Sequence, residues 1–252
     1  MKNIDFIIPV HSKDFSTLEL TINSIKNLSS CRNIYIISNK NANIENTIFI
    51  SEHLYANYVT IEMIEERYSK KNSKYISRSS WLYQQFLKLL ATKIIPNLSD
   101  TFVIVDSDTI FLKDITFKPE IFYYCKAKEY HIPYLRPIKT LLNLQSTISF
   151  STICHHSIFL KSTLDQMISD IEIRFNTNFV DAVLNTLDLN EVSNFSEWDL
   201  YSNYMILNHL DQTKARSLKY KDIKFIPKLV HLMLYSFYFD FISSHAYQRS
   251  DK

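Results

Sequence analysis

Thr101-Phe102-Val103-Ile104-Val105-Asp106-Ser107-Asp108 is the stretch that decides how this chain reads. A short, unbroken apolar run rich in β-branched residues predicts a strand buried on both faces, as in a parallel sheet. In open α/β sheets, ligands bind beyond the C-terminal strand ends. This run delivers Asp106 and Asp108 to that edge. Two neighbouring carboxylates repel, which raises one pKa unless a cation lies between them. Mn²⁺ or Mg²⁺ takes hard oxygen ligands and resolves the repulsion. Such an ion also bridges a diphosphate and neutralises its charge as it leaves. The bland alternative is a loop in which Asp106 caps a turn and Asp108 is solvated.

Working outward, residues 6–10 form a second apolar run, with Pro9 near its end and His11 just beyond. Residues 14–28 carry apolar positions at near-helical spacing, with Ser16 as N-cap, and residues 33–38 read as a strand. Together they predict a right-handed βαβ unit. Residues 47–50 and 59–64 are short and β-prone, and the basic stretch 67–80 reads as a loop. Ser79 or Ser80 then starts a helix over 81–95, with Leu82, Phe86, Leu89, Leu90 and Ile94 as its buried stripe. Gln84 and Lys88 share another face at i, i+4.

Beyond the central strand, residues 129–134 and 146–151 read as extended, and 157–169 and 170–187 as helical. Residues 196–210 read as a helix capped by Ser196, and 223–227 as a last short strand. Residues 229–242 read as a buried C-terminal element, with contact to a bilayer surface as the alternative. There is no internal repeat and no linker. The expectation is a single α/β domain over residues 1–252 with a mostly parallel sheet flanked by helices.

Composition narrows the function. Of 252 residues, 28 are basic and 26 acidic, so nothing electrostatic calls for nucleic acid as a partner. Cys31, Cys125 and Cys154 are far apart, which excludes a disulfide framework and a cysteine-rich zinc site and predicts a reducing compartment. The N-terminal apolar run is too short for a signal peptide core, and no run approaches a membrane span. The expected location is therefore cytoplasmic, with peripheral attachment at the inner face of the membrane as a variant. Glycine is absent, where average usage would give roughly eighteen. Left-handed turns must then use Asn, Asp or Ser. Glycine-rich phosphate loops are excluded outright.

Residues 4–14, Arg78-Ser79-Ser80-Trp81-Leu82-Tyr83-Gln84-Gln85-Phe86-Leu87-Lys88 and the stretch 103–115 together resemble GT-A-fold glycosyltransferases. More narrowly they resemble an uncharacterised bacterial family with a W-x-x-QQ-x-x-K helix before a DSD strand end. Ser196-Glu197-Trp198-Asp199-Leu200-Tyr201-Ser202-Asn203-Tyr204 is similar to that family's S-E-x-x-x-Y-G-N-Y segment, with Ser202 where glycine is usual. Ser80 likewise stands where Ser-Gly-Trp is expected. The resemblance covers about residues 4–235.

It implies a GT-A (Rossmann-like) sheet, a nucleotide-sugar donor, a DxD-bound Mn²⁺ or Mg²⁺, and sugar transfer to an acceptor hydroxyl, in glycan or surface polysaccharide synthesis. It further implies a nucleotide-sugar-binding half over 1–117 and a half over 118–252 that takes a glycan or lipid-linked acceptor. Pro9, Val10 and His11 would line the base or ribose, with Asn39 as a further candidate. Asp108 would be the principal metal ligand, and Asp106 would contact the ribose, or the metal through water.

Arg78, Gln84, Gln85 and Lys88 would meet sugar hydroxyls and phosphate charge; otherwise they are a solvated helix face. An inverting transferase needs a carboxylate to take the acceptor's proton. Glu197 is the choice and Asp199 the reserve; otherwise Glu197 is only a helix-start carboxylate. His231 would be a late metal ligand and His156 a donor-site residue, against the alternative of buried structural histidines. His155-His156 is not a zinc motif. Two other functions compete. One is a non-catalytic nucleotide- or carbohydrate-binding protein of the same fold. The other is a haloacid-dehalogenase-like phosphatase, for which Thr109 follows Asp108 one place too early.

Overall fold

The computed structural model describes residues 3–69, 76–127, 130–188 and 190–245. Its first half holds β1 (Ile4–Pro9), α1 (Leu18–Lys26), β2 (Cys31–Ser38), β3 (Ile48–Ser51), α2 (Ile61–Ser69), α3 (Ser79–Leu89), α4 (Ala91–Ile94), β4 (Thr101–Val105), β5 (Thr109–Phe111) and β6 (Phe122–Tyr124). The second holds α5 (Leu135–Leu142), β7 (His156–Leu160), α6 (Lys161–Phe175), α7 (Phe179–Thr186), α8 (Glu197–Asn208), β8 (Thr213–Ala215), β9 (Tyr220–Asp222), α9 (Leu229–Ser236) and β10 (Phe241–Ser243).

The two apolar runs picked out by sequence lie side by side. β1 and β4 are buried along their whole length and pair in parallel, Ile7 opposite Ile104. β2 and β3 extend the sheet in parallel on the far side of β1, and β7 closes it antiparallel to β4, giving the order β3-β2-β1-β4-β7. The chain therefore reverses direction of travel between β1 and β4. That switch point opens a crevice at the C-terminal strand ends, the expected place for a ligand. A smaller sheet, β5-β10-β9, continues from the turn after β4, and β6 and β8 form a separate parallel pair.

Absent glycine leaves its mark where the backbone turns left-handed. Asn43, Asn46, Asn97, Asn143 and Asn176 have positive φ, joined by Glu120. Asn143 and Asn176 terminate α5 and α6. Asn tolerates this region because its short polar side chain bonds locally.

Several expected elements differ. Residues 59–64 are not a strand: Thr60 Oγ1 accepts from Met63 N, and Ile64 and Tyr68, one turn apart, bury one face of α2. Residues 70–75 of the expected loop lie outside the described residues, as does Glu129. Residues 132–134 form a 3-10 turn rather than a strand. Residues 156–160 are the strand β7, not helix; a short apolar run does not reveal its period. α1 begins at Leu18, with Thr17 rather than Ser16 as N-cap. Residues 223–227 are not a strand, the last short ones being β9 and β10. Residues 229–242 are only half buried. β10 is internal, whereas α9 turns Leu229, Val230, Met233 and Leu234 outward.

Candidate active site

The crevice is a cavity of about 940 Å³ whose wall includes Arg78, Gln84, Gln85 and Lys88 from α3, Asp106 and Asp108 after β4, His155 before β7, Glu197 and Trp198 at the start of α8, Asp222 on β9, and His245 after β10. The Asp106–Asp108 turn is held from three sides. Asp106 N donates to His155 O (2.9 Å), Thr21 Oγ1 donates to Ser107 O (2.9 Å), and Ser244 N donates to Asp108 O (3.0 Å).

One half of the cavity is organised by Lys88. Its ammonium donates to Glu197 Oε1 (2.7 Å) and Asp106 Oδ1 (3.1 Å) and sits 4.2 Å from the centroid of the Trp198 ring. Lys88 is 4% exposed, so the face it occupies is not solvated. Burial alone would lower its pKa, but Asp106 and Glu197 outweigh that and hold it above a free lysine. Burial raises the Glu197 pKa, and Lys88 only partly offsets this. Ser196 caps α8 by accepting from Asp199 N, and Gln85 Oε1 accepts from Glu197 N (3.1 Å). The local sequence Ser-Glu-Trp-Asp thus presents Glu197 inward at a helix start. Gln85 Nε2 and Arg78 Nε are buried with no hydrogen-bond partner among the described residues. Unpaired buried donors are costly. At a cavity wall they are suited to a ligand's oxygens.

The other half is a cluster of carboxylates and imidazoles. Asp108 Oδ2 lies 2.9 Å from His245 Nδ1, and Asp108 Oδ1 accepts from Ser243 Oγ (3.1 Å). His155 Nε2 is 3.1 Å from Asp222 Oδ1, and His245 Nε2 is 3.8 Å from the same oxygen. One ligand atom from each of His155, Asp222 and His245 fits within 4.8 Å. Burial would raise the Asp108 pKa, but the His245 hydrogen bond and charge bring it below the usual carboxylate range. Asp222 is lowered chiefly by its hydrogen bond from His155. The carboxylates suit hard ions such as Mn²⁺ or Mg²⁺, and the two imidazoles favour a transition metal, so of these two the mixed set fits Mn²⁺ better. Five carboxylates line this cavity, Asp14, Asp106, Asp108, Glu197 and Asp222, against the fixed cations Lys88 and Arg78, an excess that a divalent ion would offset.

Of the residues singled out by sequence, Arg78, Gln84, Gln85, Lys88, Asp106, Asp108 and Glu197 come together on this wall. The others lie elsewhere. Pro9 O accepts from Gln84 Nε2 (3.4 Å), behind the wall, and Val10 is buried. His11 caps a 3-10 turn by accepting from Lys13 N, and Asn39 accepts from Ser12 N. His156 packs inside against Phe111, Phe117 and Phe241, with Nε2 2.9 Å from Arg216 Nη2. Asp199 is buried and accepts from Ser151 Oγ and Thr152 N. His231 sits in the first turn of α9, where its Nδ1 accepts from Lys228 N (3.0 Å). His245, rather than His231, is the imidazole beside Asp108, and its Nε2 lies 3.8 Å from Asp222 Oδ1.

A family profile matches residues 1–228. The chain belongs to DUF6492, a family of unknown function. The matched part of this DUF6492 member contains the α3 wall, the DSD turn, Glu197 and Asp222, whereas α9 and His245 lie beyond it. No curated protein matches the chain in sequence. Among solved structures, the crystal structure of mouse xyloside xylosyltransferase 1 in its apo form is similar, with a TM-score of 0.51 over 97% of this chain and 99% of that one, at 10% identity. The likeness is one of fold: a mixed α/β domain with a mostly parallel sheet flanked by helices, as in glycosyltransferases.

Proposed function

We propose that this protein is a metal-dependent glycosyltransferase that moves a sugar from a nucleotide-sugar donor to an acceptor hydroxyl with inversion. The observation that carries this reading is the convergence of Asp106, Asp108, Asp222, Glu197, two imidazoles and a buried lysine at the switch point of the sheet. The fold shared with a xylosyltransferase supports it. Asp108, His155, Asp222 and His245 would hold Mn²⁺ or Mg²⁺, with Asp106 beside them. When bound, the ion would neutralise the diphosphate charge of the donor.

The chain's own residues do the rest. Gln85 Nε2 and Arg78 Nε, both without partners among the described residues, donate to oxygens of the bound substrates. Lys88 fixes Asp106 and Glu197 relative to one another. Glu197, with its pKa raised by burial, accepts the proton of the acceptor hydroxyl as that oxygen attacks the anomeric carbon. Asp199 and His156 support the wall from within. The N-terminal half, with the ends of β1 and β2, is the proposed nucleotide side, and the glycan or lipid-linked acceptor enters from the half after residue 118.

The test is a thermal-shift screen of nucleotides and nucleotide sugars, with Mn²⁺ and with EDTA, followed by detection of free or transferred sugar. A Mn²⁺-dependent shift by a nucleotide sugar that is then consumed supports the proposal. A nucleotide sugar that is bound but never consumed favours a binding protein of the same fold.

A further inference from the structure

The outer face of α9 is apolar without interruption. At helical spacing, Leu229, Val230, Met233 and Leu234 lie within one broad arc that Phe237 continues, while Leu232 and Tyr235 point inward to the small cluster of Ile110, Ile223 and Ile242. Those five outer side chains and Tyr238 are between 55% and 78% exposed. A contiguous apolar surface of this kind marks an interaction site. Its charge setting is one-sided. Residues 213–240 hold six basic and two acidic side chains, in a chain whose formal charge is only +2. Lys224 and Lys228 are exposed directly before the helix, and Lys221 Nζ lies 5.3 Å from the Tyr235 ring centroid. No helix among the described residues is long and apolar enough to cross a membrane.

We infer that α9 and its flanking lysines dock this protein onto the surface of an anionic lipid bilayer. The apolar face enters the boundary between headgroups and acyl chains while the lysines meet lipid phosphates. A short helix with an apolar face and basic flanks binds in this way, through buried apolar area plus attraction to anionic lipid. Phe237 and Tyr238 extend the face with aromatic rings that favour the interfacial zone. A second copy of the chain would bury the apolar face too, but gains nothing from like-charged lysines around it. The segment that carries α9 also carries Asp222 and His245, so docking would hold the cavity close to lipid-borne molecules. The inference stands without the proposed activity, because binding to lipid needs no donor.

The experiment is co-sedimentation of the full chain with vesicles of phosphatidylcholine alone or of equal parts phosphatidylcholine and phosphatidylglycerol, at low and high salt. The expected result is sedimentation with the mixed vesicles, weakened by salt, and none with phosphatidylcholine. Met233→Ser with Phe237→Ser should abolish it. Lys224→Gln with Lys228→Gln, away from the apolar face, should weaken it roughly fivefold per lysine. No sedimentation with either vesicle, or binding unchanged by both double variants, overturns the inference. So does a solution dimer that Met233→Ser with Phe237→Ser dissolves, which assigns the face to a second copy.

Discussion

Lys88 Nζ and Glu197 Oε1 lie 2.7 Å apart, although the residues are separated by 109 positions in the chain. Both side chains are only 5% exposed, so the pair couples α3 to the start of α8 in low dielectric. Removing one partner of such a pair strands a buried charge, at a cost of about 3–5 kcal/mol. Lys88→Met is therefore expected to be strongly destabilised in urea unfolding. Adding Glu197→Gln should restore much of the loss, since the carboxylate then left without the lysine is Asp106, whose side chain is partly exposed. Additive effects of the two substitutions would show that the pair does not form. Leu82→Ala, on the fully buried stripe of the same helix, is the packing reference, at about 2–5 kcal/mol.

The metal cluster predicts a division between two histidines. His245→Ala and Asp222→Asn should lose the rise in melting temperature that Mn²⁺ gives the wild type. His231→Ala should keep it, because that imidazole is engaged at the head of α9. At Mn²⁺ a hundredfold above Kd, the stabilisation at stake is about 2.7 kcal/mol. Equal Mn²⁺ responses in all three variants would remove the cluster as a metal site.

Cys125 and Arg216 follow the last paired residues of β6 and β8. A hydrogen bond from Cys154, and then the Arg216 charge, lower the Cys125 thiol to about 6. Only the thiolate is nucleophilic. Cys125 should therefore be alkylated faster as pH rises through about 6, levelling off well before the value near 8.5 of an ordinary cysteine. Cys154, buried and with its pKa raised by its bond to Cys125, should stay unmodified. Peptide mapping after brief iodoacetamide treatment across this range checks both; a Cys125 profile centred near 8.5 would contradict the geometry.

The part of this site legible in sequence is what local pattern encodes. β4 is an apolar run that ends in two carboxylates, and α8 announces itself through Ser196. The α3 face was legible as residues, but not as buried, because Gln and Lys ordinarily lie in water. His155 was visible beside His156, yet choosing between them requires the alternation of β7. His156 points into the core and His155 into the cavity. Asp222 and His245 carry no local signal. They reach Asp108 only because β10 pairs with β5 and β9, so His245 meets a partner 137 positions away. The outward face of α9 was hidden for a related reason. Hydropathy predicts burial, with a bilayer surface as the alternative, and only tertiary structure reveals that these side chains are exposed among the described residues.

The last prediction concerns the proposed base. In an inverting transfer the acceptor oxygen attacks opposite the departing diphosphate, and a base must lie within about 3 Å of that hydroxyl. Glu197 lines the cavity, and burial raises its pKa, which makes it a better proton acceptor than a solvated carboxylate. Lys88 pulls the other way, and Asp106 shares that lysine, so Glu197 is not fully neutralised by it. Loss of a general base costs roughly 10²–10⁴-fold in rate. Glu197→Gln should therefore bind nucleotide sugar like the wild type and lose transfer to that degree. Lys88 keeps Asp106 as a partner in this variant, so the fold should survive. Asp199→Asn gives the contrast. Its side chain accepts from Ser151 and Thr152 inside the protein, so the change should lower stability by about 1.5–3 kcal/mol and spare the rate per folded molecule. The anomeric configuration of the product, read from its proton coupling by NMR, completes the test. Retention of configuration, or a Glu197→Gln enzyme that transfers at the wild-type rate, would take the base role away from Glu197. The carboxylate would then be a partner that holds Lys88 in place.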